Sequence, residues 1–214
     1  MNNPNEKETG RIEAFSNGVF AIALTLLAID LRAPELEIIN NFSLMEAIVE
    51  RWTEYFAFAN SFIVVLLMWI CHHSIFKFVC KTDTRFMLAN GLALFFVAAV
   101  SYPTSLLAKY LMTDAASAAA ACYAGYLVIS NCAFIILWRT VSRNKKLLKD
   151  NATNDEIMRL SRSLYTTLPI YVAAALLAFV SAWITVTITT LLWTYWAATL
   201  KNECVDSGSC PWQS

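Results

Sequence analysis

Long stretches without a charged residue alternate with short segments in which charge collects. The charge-free runs are Ala14–Ile29, Tyr55–Phe76, Phe86–Ala108, Ala115–Trp138 and Ser163–Leu200. A helix crosses a bilayer with about 20 mostly apolar residues, so each of the first four runs predicts one crossing. The fifth run holds 38 residues and would reach roughly 57 Å as one helix. It therefore predicts two helices joined by a tight turn near Ser181–Thr185, although no Gly or Pro marks the place. The pattern gives an all-α, polytopic membrane protein with six transmembrane helices.

Lys and Arg placement sets the orientation. With the N-terminus inside, 13 of the 16 basic residues lie on the cytoplasmic side, seven of them between Arg139 and Arg162. The three outside are Arg32, Arg51 and Lys109. Both termini are thus expected in the cytoplasm, with residues 1–10 and 201–214 as tails around a six-helix transmembrane domain of residues 11–200. The first external loop is acidic, carrying Asp30, Glu35, Glu37, Glu46, Glu50 and Glu54. A negative vestibule would concentrate cations, and a solvated loop face accounts for it equally well. Arg143–Ser163 is expected to be a cytoplasmic connector with a short amphipathic helix.

Composition agrees. The chain is 58% hydrophobic and 15% charged, with mean hydropathy +0.52 and no net charge; soluble domains carry about a quarter charged residues. No basic region exists to attract nucleic acid. A cleaved signal peptide is disfavoured because "NEKETGRIE" is of mixed charge and "AIDLRAPE" makes a poor cleavage site. Six cysteines include no CxxC pair, and Cys204 and Cys210 are read as reduced thiols in a cytoplasmic tail.

Polar groups at membrane depth are costly and point to function or to a structural hydrogen-bond network. Arg11 lies near the cytoplasmic edge, where it can snorkel. Ser16 and Asn17 lie deeper, so Asn17 is expected to turn into the protein and hydrogen-bond. Partners are offered by Trp69, His72 and His73 in the second run and by Asn90 in the third. Adjacent helical positions are about 100° apart, so one histidine is expected to face the first helix. The pair lacks the spacing and the neighbouring carboxylate of a metal site. Packing and a pH-sensitive role both remain open. Pro103 in "SYPTS" is expected to kink the third helix. No nucleophile with its base, phosphate loop or buried carboxylate pair is present, so no enzymatic chemistry and no cofactor are expected.

On the first helix, Ile22, Leu26 and Ile29 recur at i, i+4 and i+7, with Thr25 beside them. Asn17 sits about 140° around the helix from this stripe. Periodicity leaves the stripe facing lipid or another helix.

The segment Arg11, Phe15-Ser16-Asn17 and "GVFAIALTLLAIDL" resembles the signature of the transmembrane protein 175 family of potassium channels, in which an arginine precedes a Phe-Ser-Asp triplet. The resemblance implies a homotetramer in the plasma membrane, passing potassium ions through a central pore lined by the first helix. It implies a hydrophobic constriction at Ile22, with Leu26 and Ile29 further along, and a hydroxyl ring at Thr25. Arg11, Phe15, Ser16, Asn17, Trp69, His72, His73 and Asn90 would form a supporting polar network. The carbonyl filter sequence of other potassium channels is absent. Asn17 departs from the family's aspartate and removes a negative charge. A secondary or proton-coupled transporter is the alternative, and a non-conducting scaffold a third possibility.

Overall fold

In the computed structural model, residues 4–29, 31–35, 40–149, 152–192 and 196 are described. Asp30 and the tail with Cys204 and Cys210 lie outside them. The described residues form α1 (Pro4–Ile29), α2 (Asn41–Glu50), α3 (Trp52–Lys77), α4 (Thr84–Ala98), α5 (Ser101–Tyr110), α6 (Ala116–Ser142) and α7 (Asn154–Leu177). A last apolar helix, α8, spans Ala182–Leu192. The fold is all-α, with one isolated bridge between Val79 and Leu148.

Among the described residues, four segments are long and apolar enough to cross a membrane: Lys7–Ile29, Trp52–Lys77, Thr84–Tyr110 and Ala116–Ser142. Of these, α6 is the most buried, packing on α4, α5 and α7. Ala119, Ala120 and Ala124 allow this, since small side chains let membrane helices approach closely. α1 lies on the other side of the bundle, against α3 and α4.

The third crossing is broken into α4 and α5, and the break falls before the proline. Pro103 has no N–H to offer Ala99, and its ring clashes with the carbonyl four residues earlier. The ladder accordingly opens at Ala99–Val100, and Pro103 sits in the first turn of α5, where its missing donor costs least.

Three other segments depart from the sequence reading. α1 begins at Pro4, inside the expected tail. The amphipathic helix expected between α6 and α7 is instead the start of α7 itself, nucleated at a capping box. Thr153 accepts from Glu156 N–H, and the Glu156 carboxylate accepts from Thr153 N–H at 3.1 Å. The turn between the last two helices occupies residues 178–181, slightly ahead of the expected place. "WITVTITT" is helical because its hydroxyls find carbonyls. Thr185 donates to Ala174 of α7 (2.7 Å), and Thr189 and Thr190 donate to Val186 (3.0 and 2.8 Å).

α8 runs parallel to α3. Trp183 stacks on Trp52 with centroids 6.1 Å apart, and a turn or two further on Thr190 meets Asn60 at 3.2 Å.

Candidate pore helix and its polar support

α1 has two unlike faces. Ser16, Phe20, Ala23 and Leu27 are at most 2% exposed and recur at i, i+4, i+7 and i+11. On the opposite side Phe15, Ile22, Leu26 and Ile29 are 67%, 60%, 41% and 63% exposed. Fully burying one such side chain is worth about 1.5–3 kcal/mol. Only 22% of the α1 span is buried, the least of the four, so its stripe of four calls for another surface, lipid or a second copy. Thr25 is exposed on the same side and donates its hydroxyl to the Ile22 carbonyl at 2.8 Å. Its oxygen lone pairs remain free to face outward.

The buried face is fixed by a directional chain of hydrogen bonds. His72 Nε2 lies 2.8 Å from Asn90 Oδ1, Asn90 Nδ2 donates to Ser16 Oγ at 3.0 Å, and Ser16 Oγ donates to the Ile12 carbonyl at 2.8 Å. Because Asn90 Oδ1 can only accept, His72 must carry its proton on Nε2. Its Nδ1 is buried without a hydrogen-bond partner among the described residues. The imidazole is walled by Phe20 (5.2 Å, edge-on), Phe76 (4.5 Å, stacked) and Phe134 (6.5 Å). This chain ties α1, α3 and α4 into one rotational setting.

A second set of contacts flanks it. Asn17 is exposed, yet its Oδ1 accepts from Trp69 Nε1 at 2.9 Å. His73 stacks on Trp69 at 5.9 Å, and its Nδ1 lies 3.0 Å from Glu13 Oε1. The Trp69 bond needs only an acceptor, which asparagine supplies as well as aspartate would.

The structure thus brings Ser16, Asn17, Trp69, His72, His73 and Asn90 together. Both histidines reach α1, rather than one. His72 reaches it through Phe20 and the Asn90–Ser16 bond, and His73 through Glu13. Arg11 and Phe15 meet this set only across an open cleft of about 430 Å³ between α1 and α4: both lie in phase with Ile22 and line it with Glu8, Met87, Asn90 and Gly91.

Two groups escaped the sequence reading. Glu13 is one, although an acid four residues before Asn17 was a signal. The other is a second buried polar cluster. Asn60 Nδ2 donates to Tyr123 Oη (2.7 Å), Ser61 Oγ lies 3.2 Å from the same oxygen, and Thr104 Oγ1 donates to Ser61 (2.7 Å). It joins α3, α5 and α6, with α8 attached through Thr190. The polar letters of "FANSF" and of "SYPTS" inside apolar runs were its trace.

The chain is similar to proteins of known kind. Residues 11–100 match the family model described as endosomal/lysosomal potassium channel TMEM175. The chain is 39% identical over 194 residues to the potassium channel Cha6605_3372 of Chamaesiphon minutus, covering 91% of this chain and 96% of that one. It superposes with TM-score 0.81 and 37% identity on the crystal structure of a lysosomal potassium-selective channel TMEM175 homolog from Chamaesiphon minutus, covering 90% and 97% of the two chains. A longer relative, the endosomal/lysosomal proton channel TMEM175 of Gallus gallus, is 35% identical over 116 residues, 51% of this chain and 23% of that protein.

Proposed function

From a chain that belongs to the TMEM175 family of potassium channels, we propose a potassium-permeable pore built from four copies, with α1 of each on the central axis. The observation that carries this reading is the exposed Ile22, Leu26 and Ile29 stripe on a helix whose other face is sealed. Fourfold assembly would bury that stripe against its own copies.

In this assembly four Ile22 side chains form the narrowest ring. An apolar constriction excludes water and so raises the barrier for a hydrated cation, which is gating by dewetting. Leu26 and Ile29 extend the apolar wall towards the outer mouth. Four Thr25 oxygens, their protons held by backbone carbonyls, present lone pairs to a partly dehydrated potassium ion. Opening requires α1 to rotate or splay, and the Ser16–Asn90–His72 chain sets the resting angle from which it does so.

In the membrane, α1, α3, α4 with α5, and α6 make four crossings, and the 38-residue charge-free run Ser163–Leu200, which holds most of α7 and all of α8, supplies two more, with both termini on the cytoplasmic side of the plasma membrane. The asymmetry of Lys and Arg supports this orientation.

The test is potassium flux from liposomes holding the purified protein. Flux of K⁺ exceeding that of Na⁺ is expected, and absence of flux, or equal passage of choline, overturns the reading. Proton permeation is a second reading, favoured by the proton-channel name of the vertebrate relative. A pH-sensitive dye inside the same vesicles distinguishes it.

A further inference from the structure

α2 has no counterpart in the pore account. It begins at an N-cap, where Asn40 Oδ1 accepts from Ser43 N–H at 2.8 Å. Its orientation is inverted relative to a helix on a soluble core. Ser43 and Ala47, one turn apart, are the positions half-buried against the protein. Phe42, Leu44, Met45, Ile48 and Val49 are all exposed. They occupy an arc of roughly 160°, and Glu46 and Glu50 lie outside it.

The place of α2 in the fold identifies what covers this arc. Helical geometry breaks at Arg51 (φ −86°, ψ 16°), where α2 ends and α3 begins. Arg51 is held there by Glu54 at 3.0 Å and by the Arg32 carbonyl at 2.6 Å. Immediately beyond the break come Trp52, Tyr55 and Trp183, all partly exposed, with the two tryptophans stacked. Trp and Tyr gather where hydrocarbon meets headgroups. α2 therefore ends at that level, with Ile48 and Val49 of its apolar arc next in sequence to the aromatic residues.

We propose that α2 lies in the membrane interface at the end of the bundle where α1 finishes, with Phe42, Met45, Ile48 and Val49 dipping into the acyl boundary. The partner is a neutral lipid surface. α2 has no Lys or Arg to attract anionic headgroups, and its two glutamates would be repelled by them. The helix would then act as a float, fixing the height and tilt of the α3 end beside the outer mouth of α1. This inference rests on the chain being a membrane protein and not on its being open to potassium.

The test places the photo-crosslinking residue p-benzoylphenylalanine at Phe42, Val49 and, as an inward control, Ser43, in the full chain reconstituted in phosphatidylcholine vesicles. Lipid adducts at 42 and 49, several-fold above those at 43, are expected by mass spectrometry. Covalent dimers at 42 and 49 would assign the arc to a neighbouring subunit, and no adduct of either kind would assign it to water. Either result overturns the proposal, as would adducts that form only when anionic lipid is added. Potassium flux from the same vesicles keeps failure of this inference distinct from failure of the channel reading.

Discussion

Replacing Asn90 with Leu removes the middle of the chain that sets the rotation of α1. Ser16 loses an acceptor role but keeps its own proton on the Ile12 carbonyl (2.8 Å), so its loss is small. His72 cannot compensate. Its Nδ1 already has no hydrogen-bond partner among the described residues, so either neutral tautomer buries an unpaired N–H among Phe20, Phe76 and Phe134. An orphaned buried donor costs about 1–3 kcal/mol, and hydrogen bonds between membrane helices average somewhat less. A loss near 2 kcal/mol is expected. His72→Leu in the same background removes the orphan, so the double variant should fall short of the summed single losses by about 1 kcal/mol. Retention of the assembled peak after heating in detergent, read by size-exclusion chromatography, measures each loss. Potassium flux reports whether α1 has turned. Strict additivity, or an Asn90→Leu protein as stable as the wild type, would refute the hydrogen-bond reasoning.

At the Trp69 bond, Asn17→Asp keeps the acceptor and should leave thermal stability within about 0.5 kcal/mol, whereas Asn17→Leu should lose about 1 kcal/mol. Equal losses in the same heating assay would dismiss the 2.9 Å contact. Tyr123→Phe removes the oxygen shared by Asn60 and Ser61 and should cost about 1–3 kcal/mol, with a stable variant arguing against the cluster. Thr153→Ala should cost about 1 kcal/mol, seen as faster hydrogen exchange over the first turn of α7. Accepting hydrogen bonds from Thr153 hold the Glu156 carboxyl below its ordinary range. The box is therefore intact at neutral pH, starts to weaken as pH falls below the unfolded value near 4.3, and is lost through the folded one. Exchange in that turn should accelerate on acidification and not on alkalinisation.

The first four spans and the exposed face of α1 were legible because both are periodic properties of a local sequence. A charge-free run reads as a helix, and Ile22, Leu26 and Ile29 keep phase whatever surrounds them. Phase also held the answer for Phe15, which lies seven residues before Ile22. Grouping it by its neighbours Ser16 and Asn17 put it on the wrong face. Contacts between distant residues carried no such signal. Asn60 and Tyr123 are 63 positions apart, and only the packing of α3 on α6 brings them within 2.7 Å. α2 was hidden for a different reason. Its glutamates made the loop look simply acidic, while the apolar arc emerges only once the helix is built.

The most direct test of the pore assignment is recording in planar bilayers from the wild type and Ile22→Asn side by side. The account predicts unitary potassium currents in both, with the open fraction raised in the variant because a polar ring at the constriction holds water. Unitary currents unchanged by Ile22→Asn would remove this residue from the gate, and silence in both would contradict the channel itself.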